Sequence, residues 1–111
     1  MFIFQDKVAA KDIGSGVLVQ TMGHGTAMTV LRFSSPDNSV APRHAHPHEQ
    51  FGYVLKGALE ISIGDETSVV RAGDCYLIPP NAPHEFRTIG ETEALDVFSP
   101  VRTELPWDAK E

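Results

Sequence analysis

Three histidines and a glutamine have the residue types and the spacing of a metal site. His44, His46 and Gln50 lie within one short segment, and His84 follows a proline-rich stretch further along the chain. Side chains alternate between the two faces of a strand, so a strand through residues 44–50 would place the first three on one face. His84 would add a third imidazole from the start of another strand. We predict that the four bind one divalent transition metal ion (zinc, nickel, iron, manganese or copper), because imidazole-rich sites accept all of these.

The amide in this set has a chemical consequence. Three neutral imidazoles and Gln50 leave the full +2 charge on the ion, whereas a carboxylate ligand would cancel part of it. Such a site is expected to bind anions and to polarise carbonyl or hydroxyl oxygens as a Lewis acid. It is less suited to oxygen activation. His48 has the same parity as the ligands, but Pro47 interrupts the strand, and its role stays open between a rim position and ligation.

The elements that must position these residues are predicted to be short strands. Prolines and glycines are scattered along the chain, and no apolar pattern of helical period persists for three turns. Alternation instead marks strands within residues 16–22, 27–33, 50–55, 59–63, 67–71, 75–78, 84–88 and 92–99. Many short strands at regular spacing are typical of a sandwich or a barrel. We therefore predict one all-β domain over residues 1–111, with a barrel core near residues 15–100 and a C-terminal tail over residues 101–111.

Composition and charge limit the partners of this domain. The chain has 111 residues and a formal net charge of −6, with no cluster of lysine or arginine, which disfavours nucleic acid and anionic membrane surfaces. No segment approaches the roughly 20 apolar residues of a membrane span, and the N-terminus lacks the apolar core of a signal peptide. The single cysteine, Cys75, cannot form an intrachain disulfide and is expected to be a small buried hydrophobe. These features predict a cytoplasmic protein.

Two motifs in the chain resemble those of the cupins. The first is His44-x-His46-x3-Gln50-x6-Gly57, and the second is Gly73-x5-Pro79-x-Asn81-x2-His84. The resemblance covers residues 28–100 and implies a cupin-type antiparallel jelly-roll β-barrel, usually dimeric, with the metal inside the barrel. The chain departs from the pattern where the usual glutamate ligand is Gln50. We therefore expect a homodimer, with the terminal aromatics Phe2, Phe4 and Trp107 as candidates for its contact.

The last predicted strand leaves two orientations open. Asp96 and Phe98 share one of its faces, and Leu95 and Val97 share the other. Periodicity alone slightly favours Leu95 and Val97 as the inward pair, because leucine and valine fill cores better than aspartate does. If Asp96 faces inward instead, an acid and an aromatic wall lie near the metal, with Arg102 just beyond the strand.

A narrower resemblance favours the inward aspartate. Within the cupins, the segment 44–50 and the ending 96–102 resemble the pectin-degradation group, which converts 4,5-unsaturated monouronates into open-chain 4-deoxy-5-keto-uronates. This resemblance implies that Asp96, Phe98 and Arg102 occupy active-site positions and that the substrate is a small anionic sugar acid. Arg102 would hold a carboxylate by its planar fork, Asp96 would move a proton as the ring opens, and Phe98 would form an apolar wall.

Two other functions stay open for the same site. The first is a non-catalytic cupin that binds a sugar or a small carboxylate. The second is a cupin dioxygenase, against which the neutral ligand Gln50 counts.

Overall fold

The computed structural model describes residues 1–105, which form an antiparallel β structure with one short 3-10 helix, Gln5–Lys7. The strands are β1 (Lys11–Asp12), β2 (Leu18–His24), β3 (Thr29–Ser35), β4 (Val40–His44), β5 (Glu49–Ile63), β6 (Glu66–Arg71), β7 (Cys75–Ile78) and β8 (His84–Ser99). They join in the order β1-β2-β3-β8-β5-β6, with β4 beside β8 and β7 beside β5. Every pairing is antiparallel, which confirms the all-β prediction. Over the described residues, no helix is long and apolar enough to cross a membrane.

Two long strands, β5 and β8, pair along nearly their whole lengths and form the centre of the sheet. The division of β8 into strands 84–88 and 92–99 is wrong, because the chain continues through Gly90, which has a φ of +75°, as one strand. The register between the two strands shifts near Gly57 of β5, whose φ is +79°. A Cβ at Gly57 would overlap the backbone oxygen of Glu91, so only glycine permits this close crossing.

The inward-facing side chains form an apolar core in two clusters. The larger cluster contains Val54, Leu59, Ile61, Tyr76, Ile78 and Ala94, and the smaller contains Val19, Leu31 and Phe98. Each fully buried aliphatic side chain stabilises the fold by roughly 1.5–3 kcal/mol. Phe98 is a residue of β8 and also a member of the smaller cluster. Its burial therefore fixes which face of β8 points into the barrel, and Asp96 lies on that same face.

The outer face of the same sheet is also apolar at its centre. Val97 pairs with Phe51 on one side and with Val30 on the other, and Leu77 pairs with Phe51. Phe51 and Leu77 are 43% and 57% exposed. β8 therefore carries apolar residues on both faces, which is why periodicity alone favoured the wrong pair: the structure turns Val97 and Leu95 outward.

The structure also settles several positions outside the core. Cys75 is exposed, and the prediction that it is buried is wrong, because β7 directs Tyr76 and Ile78 inward and its other residues outward. Phe2 and Phe4 are exposed. Trp107 and residues 106–111 of the predicted tail lie outside the described residues.

Candidate metal centre

The four predicted ligands come from several elements and not from a single strand. His44 ends β4, His46 lies in the connection that follows, and Gln50 is the second residue of β5. A continuous strand through residues 44–50, on which the shared-face argument depended, does not form: as Pro47 indicated, the chain leaves the sheet there, because proline has no N–H to donate. His84 begins β8 and pairs directly with His44.

The structure nevertheless brings the three imidazoles together. One ring nitrogen from each of His44, His46 and His84 lies within 4.8 Å of the others. The ring centroids of His44 and His84 are 4.2 Å apart, and those of His46 and His84 are 4.9 Å apart. His84 is fully buried and His46 is 8% exposed. Burial is the main reason why the pKa of His84 falls to about 4. It also lowers the pKa of His46, so both rings are neutral at neutral pH.

The backbone partners of these rings favour a proton on Nδ1. In each ring Nδ1 faces a backbone carbonyl: His44 faces Pro42 at 2.8 Å, His46 faces His48 at 3.1 Å, and His84 faces Ala82 at 2.8 Å. A carbonyl oxygen only accepts, so a proton on Nδ1 satisfies this contact in each ring. With its proton on Nδ1, a neutral imidazole has an unprotonated Nε2 whose lone pair can bind a cation.

The surroundings of these Nε2 atoms suit a cation. The Nε2 of His84 is buried and has no hydrogen-bond partner among residues 1–105. The Nε2 of His46 faces the Oε1 of Gln50 at 3.0 Å, and the amide nitrogen of Gln50 donates elsewhere, to Asp96. With the proton of His46 on Nδ1, its Nε2 and the Oε1 of Gln50 both direct lone pairs at the same space, and a cation bound to both would offset their repulsion. The donor set of the described residues therefore fits a divalent ion.

Asp96 faces into the barrel and is 4% exposed. Its Oδ1 accepts a hydrogen bond of 3.0 Å from Gln50 and one of 2.6 Å from the hydroxyl of Tyr76. Burial raises the pKa of Asp96 to about 6, against the lowering effects of these hydrogen bonds and of Arg102. The sequence-based reasoning missed Tyr76. The sequence feature that could have identified it is the alternation along β7, which places Tyr76 on the same inward face as Ile78.

Phe98 and Arg102 complete the same side of the site. Phe98 is 2% exposed, and its ring centroid is 5.7 Å from that of His46. The guanidinium carbon of Arg102 lies 4.8 Å from the centroid of the Phe98 ring, a cation–π contact. The backbone N–H of Arg102 donates to Thr29. Within residues 1–105, no carboxylate lies within ion-pair distance of Arg102.

His48 lies beside the converging rings and is not one of them. Its ring centroid is 5.5 Å from that of His46 and 6.5 Å from that of Phe98. The contact of His48 with the site is made by its backbone oxygen, which accepts a hydrogen bond from the Nδ1 of His46. This geometry favours the rim position over ligation.

Comparisons with known proteins agree with this architecture. The model of the cupin domain family matches residues 32–98. The pectin degradation protein KdgF of Dickeya dadantii is 26% identical over 108 residues, which cover 94% of this chain and 96% of that protein. A polyketide synthase protein, CurC, of Streptomyces cyaneus is 35% identical over 79 residues, or 70% of this chain, and the match spans only about half (51%) of that protein's length.

The fold is shared with solved cupin structures. An RmlC-like cupin of Shewanella frigidimarina superimposes with a TM-score of 0.88 and 27% identity over 92% of both chains. This match confirms the predicted jelly roll. Together with the family match over more than half of its length, it shows that the chain belongs to the cupin family.

Proposed function

We propose that this cupin is a metal-dependent enzyme that linearises 4,5-unsaturated monouronates to 4-deoxy-5-keto-uronates. The observation that carries the proposal is that a buried acid, Asp96, and an arginine without an ion-pair partner among residues 1–105, Arg102, lie on the same side of the barrel as three converging imidazoles. The similarity to a pectin degradation protein supports it, because that match spans nearly the whole of both chains.

The metal ion would be held by the Nε2 atoms of His44, His46 and His84 and by the Oε1 of Gln50. A bound divalent ion supplies Lewis-acid polarisation of substrate oxygens. With a neutral ligand set, the residues would leave the full +2 charge on a bound ion, and the site would attract an anion despite the negative net charge of the chain.

Arg102 and Phe98 bind and orient the substrate. The guanidinium of Arg102 forms a bidentate pair with the uronate carboxylate, which no acid of the described residues displaces. The buried ring of Phe98 provides an apolar wall for the sugar and keeps water from the reacting atoms. Positioning of this kind contributes to the rate by restricting the substrate to a reactive orientation.

The reaction is an isomerisation that needs no oxidant or co-substrate. The anomeric hydroxyl loses its proton while the bond between C1 and the ring oxygen breaks, giving an aldehyde at C1 and an enolate at C5. C4 then gains a proton, and C5 becomes a ketone. Asp96 transfers the proton; its pKa of about 6 lies close enough to neutrality for the carboxyl to donate and accept.

The test is the ultraviolet absorbance of the conjugated double bond of an unsaturated monouronate. We expect metal-loaded protein to speed the loss of absorbance well above the spontaneous rate, without oxygen consumption. If metal-loaded protein leaves the loss of absorbance at its spontaneous rate, the proposal is refuted. Saturable binding of the monouronate without turnover would favour the non-catalytic binding module. Oxygen uptake would favour a dioxygenase. Asp65→Asn, at an exposed turn, is a matched control that should keep full activity.

We also propose that a second copy of the chain covers the apolar outer face around Phe51, Leu77 and Val97. Phe51→Glu should convert the dimer into monomers in sedimentation velocity, while Val40→Glu, at an exposed residue of β4, should not. A wild-type chain that sediments as a monomer would contradict the proposal. The cytoplasmic location and the absence of nucleic-acid and membrane partners stay predictions.

A further inference from the structure

We propose that Tyr76 is a positioning residue that holds Asp96 and, through it, orients Gln50, and that Gly52 is the gap that lets Tyr76 reach them. The inference rests on the proposed function and extends it to residues that the sequence motifs do not include.

The sheet places Gly52 directly between the two side chains. Gly52 of β5 pairs with Tyr76 of β7 on one side and with Asp96 of β8 on the other. A Cβ at Gly52 would overlap ring carbons and the hydroxyl oxygen of Tyr76. The phenol therefore lies over the glycine and crosses one whole strand to reach Asp96. Any other residue at position 52 would close this path.

The hydrogen bond at the end of this path is short and well defined. The hydroxyl of Tyr76 is 2.6 Å from the Oδ1 of Asp96, the distance expected for a hydroxyl that donates to a carboxylate. Burial, together with the neighbouring Asp96, raises the pKa of Tyr76 well above its usual value, so the hydroxyl keeps its proton and stays a donor. Gln50 donates to the same Oδ1. Among residues 1–105, Oδ2 of Asp96 makes no hydrogen bond, which leaves that oxygen for the substrate.

The same contacts decide which end of the Gln50 amide faces the imidazoles. An amide group can rotate to present oxygen or nitrogen, and only the oxygen can bind a cation. Asp96 accepts from the amide nitrogen and thereby turns Oε1 toward the Nε2 of His46. Tyr76 fixes the carboxylate that makes this selection. Its effect on the reaction is therefore indirect.

The experiment compares Tyr76→Phe with Tyr53→Phe, the only other tyrosine of the chain, which is 39% exposed on the outer face. Tyr76→Phe removes one hydroxyl and keeps the ring, so it should fold. We expect its kcat to fall about tenfold to a hundredfold, the range for a lost hydrogen bond to a charged group. KM should change little, because Arg102 and Phe98 are untouched. Tyr53→Phe should match the wild type in both constants.

A second readout does not depend on turnover. Cobalt(II) serves as the metal probe, and its visible spectrum reports the ligands around it. Tyr76→Phe should alter this spectrum or weaken cobalt binding, because Gln50 loses its fixed orientation. Unchanged kcat together with an unchanged cobalt spectrum would overturn the inference. If the wild type has no uronate activity, the proposed function fails, and the cobalt spectrum alone decides the role of Tyr76.

A melting-temperature cycle tests the role of Gly52. Gly52→Ala should lower the melting temperature sharply in the wild type, because its Cβ overlaps the Tyr76 ring. In a Tyr76→Ala background the ring is absent, and the same change should have a much smaller effect. Equal losses in both backgrounds would show that Gly52 does not serve Tyr76 and would contradict this part of the inference.

Discussion

Asp96→Asn is expected to make the protein more stable and at the same time inactive. Asparagine has nearly the shape of aspartate, and its oxygen can still accept from Tyr76 and Gln50. It cannot carry the proton that ring opening requires. We therefore expect kcat to fall by at least about a hundredfold, the lower end of what a positioned acid or base contributes.

The gain in stability follows from the buried charge. The pKa of Asp96 rises from 3.8 to about 6, mainly because of burial. Each pKa unit corresponds to about 1.4 kcal/mol, so the ionised carboxylate destabilises the folded state by about 3 kcal/mol. The protonated carboxyl contributes its full stability below about pH 4, and this contribution is lost as the pH rises through about 6. Asparagine does not ionise, so the difference in stability between the variant and the wild type grows from about pH 4 to about pH 6 and is constant above that range.

The assay is thermal unfolding of chelator-treated protein across this pH range. For a domain of this size about 3 kcal/mol corresponds to a melting temperature about 10 °C higher at neutral pH. Removing the metal keeps its charge from stabilising the carboxylate. Asp65→Asn, at an exposed turn, should leave both the melting temperature and the activity unchanged. An Asp96→Asn variant that melts below the wild type at neutral pH, or that keeps its kcat, would refute the reasoning.

Three further predictions concern the cation, the metal and the core. Arg102→Lys should raise KM about tenfold or more, because an ammonium cannot form the bidentate pair; an unchanged KM in steady-state kinetics would contradict this. Zinc at about 100 times its Kd should stabilise the wild type by about 2.7 kcal/mol in thermal melts, and a shift that persists in His84→Ala would place the ion elsewhere. Leu31→Ala should lower the free energy of unfolding by about 2–5 kcal/mol in urea titrations, whereas Leu18→Ala, at a 40% exposed position, should cost far less.

The proximity of His44 and His46 was predictable from their local spacing, whereas His84 joins them through the pairing of β4 with β8 and was expected from its residue type and from the resemblance to the cupin motifs. His44 and His46 are two residues apart, and the proline-rich turn before His84 marks the start of β8. Because of the loop at Pro47, the ligand residues lie on β4, in a loop and on β5 and not on one strand, but the imidazole rings still converge. The alternation of apolar residues likewise predicted Cys75–Ile78 with the bounds that the structure has.

Other features depend on pairings between distant strands and were beyond the sequence pattern. The orientation of β8 was ambiguous because Val97 is apolar and belongs to an apolar outer face, so hydrophobicity did not distinguish inside from outside. The contact of Tyr76 with Asp96 requires the register of β5 with two neighbours at once. The predicted break between residues 88 and 92 is absent, because the long partner β5 pairs with β8 on both sides of it.

The central claim is that His44, His46, Gln50 and His84 hold one divalent ion. Elemental analysis of protein purified without added metal, beside the His46→Ala variant, tests it most directly. We predict close to one transition metal ion per wild-type chain and almost none in His46→Ala. A variant that retains as much metal as the wild type would contradict the account.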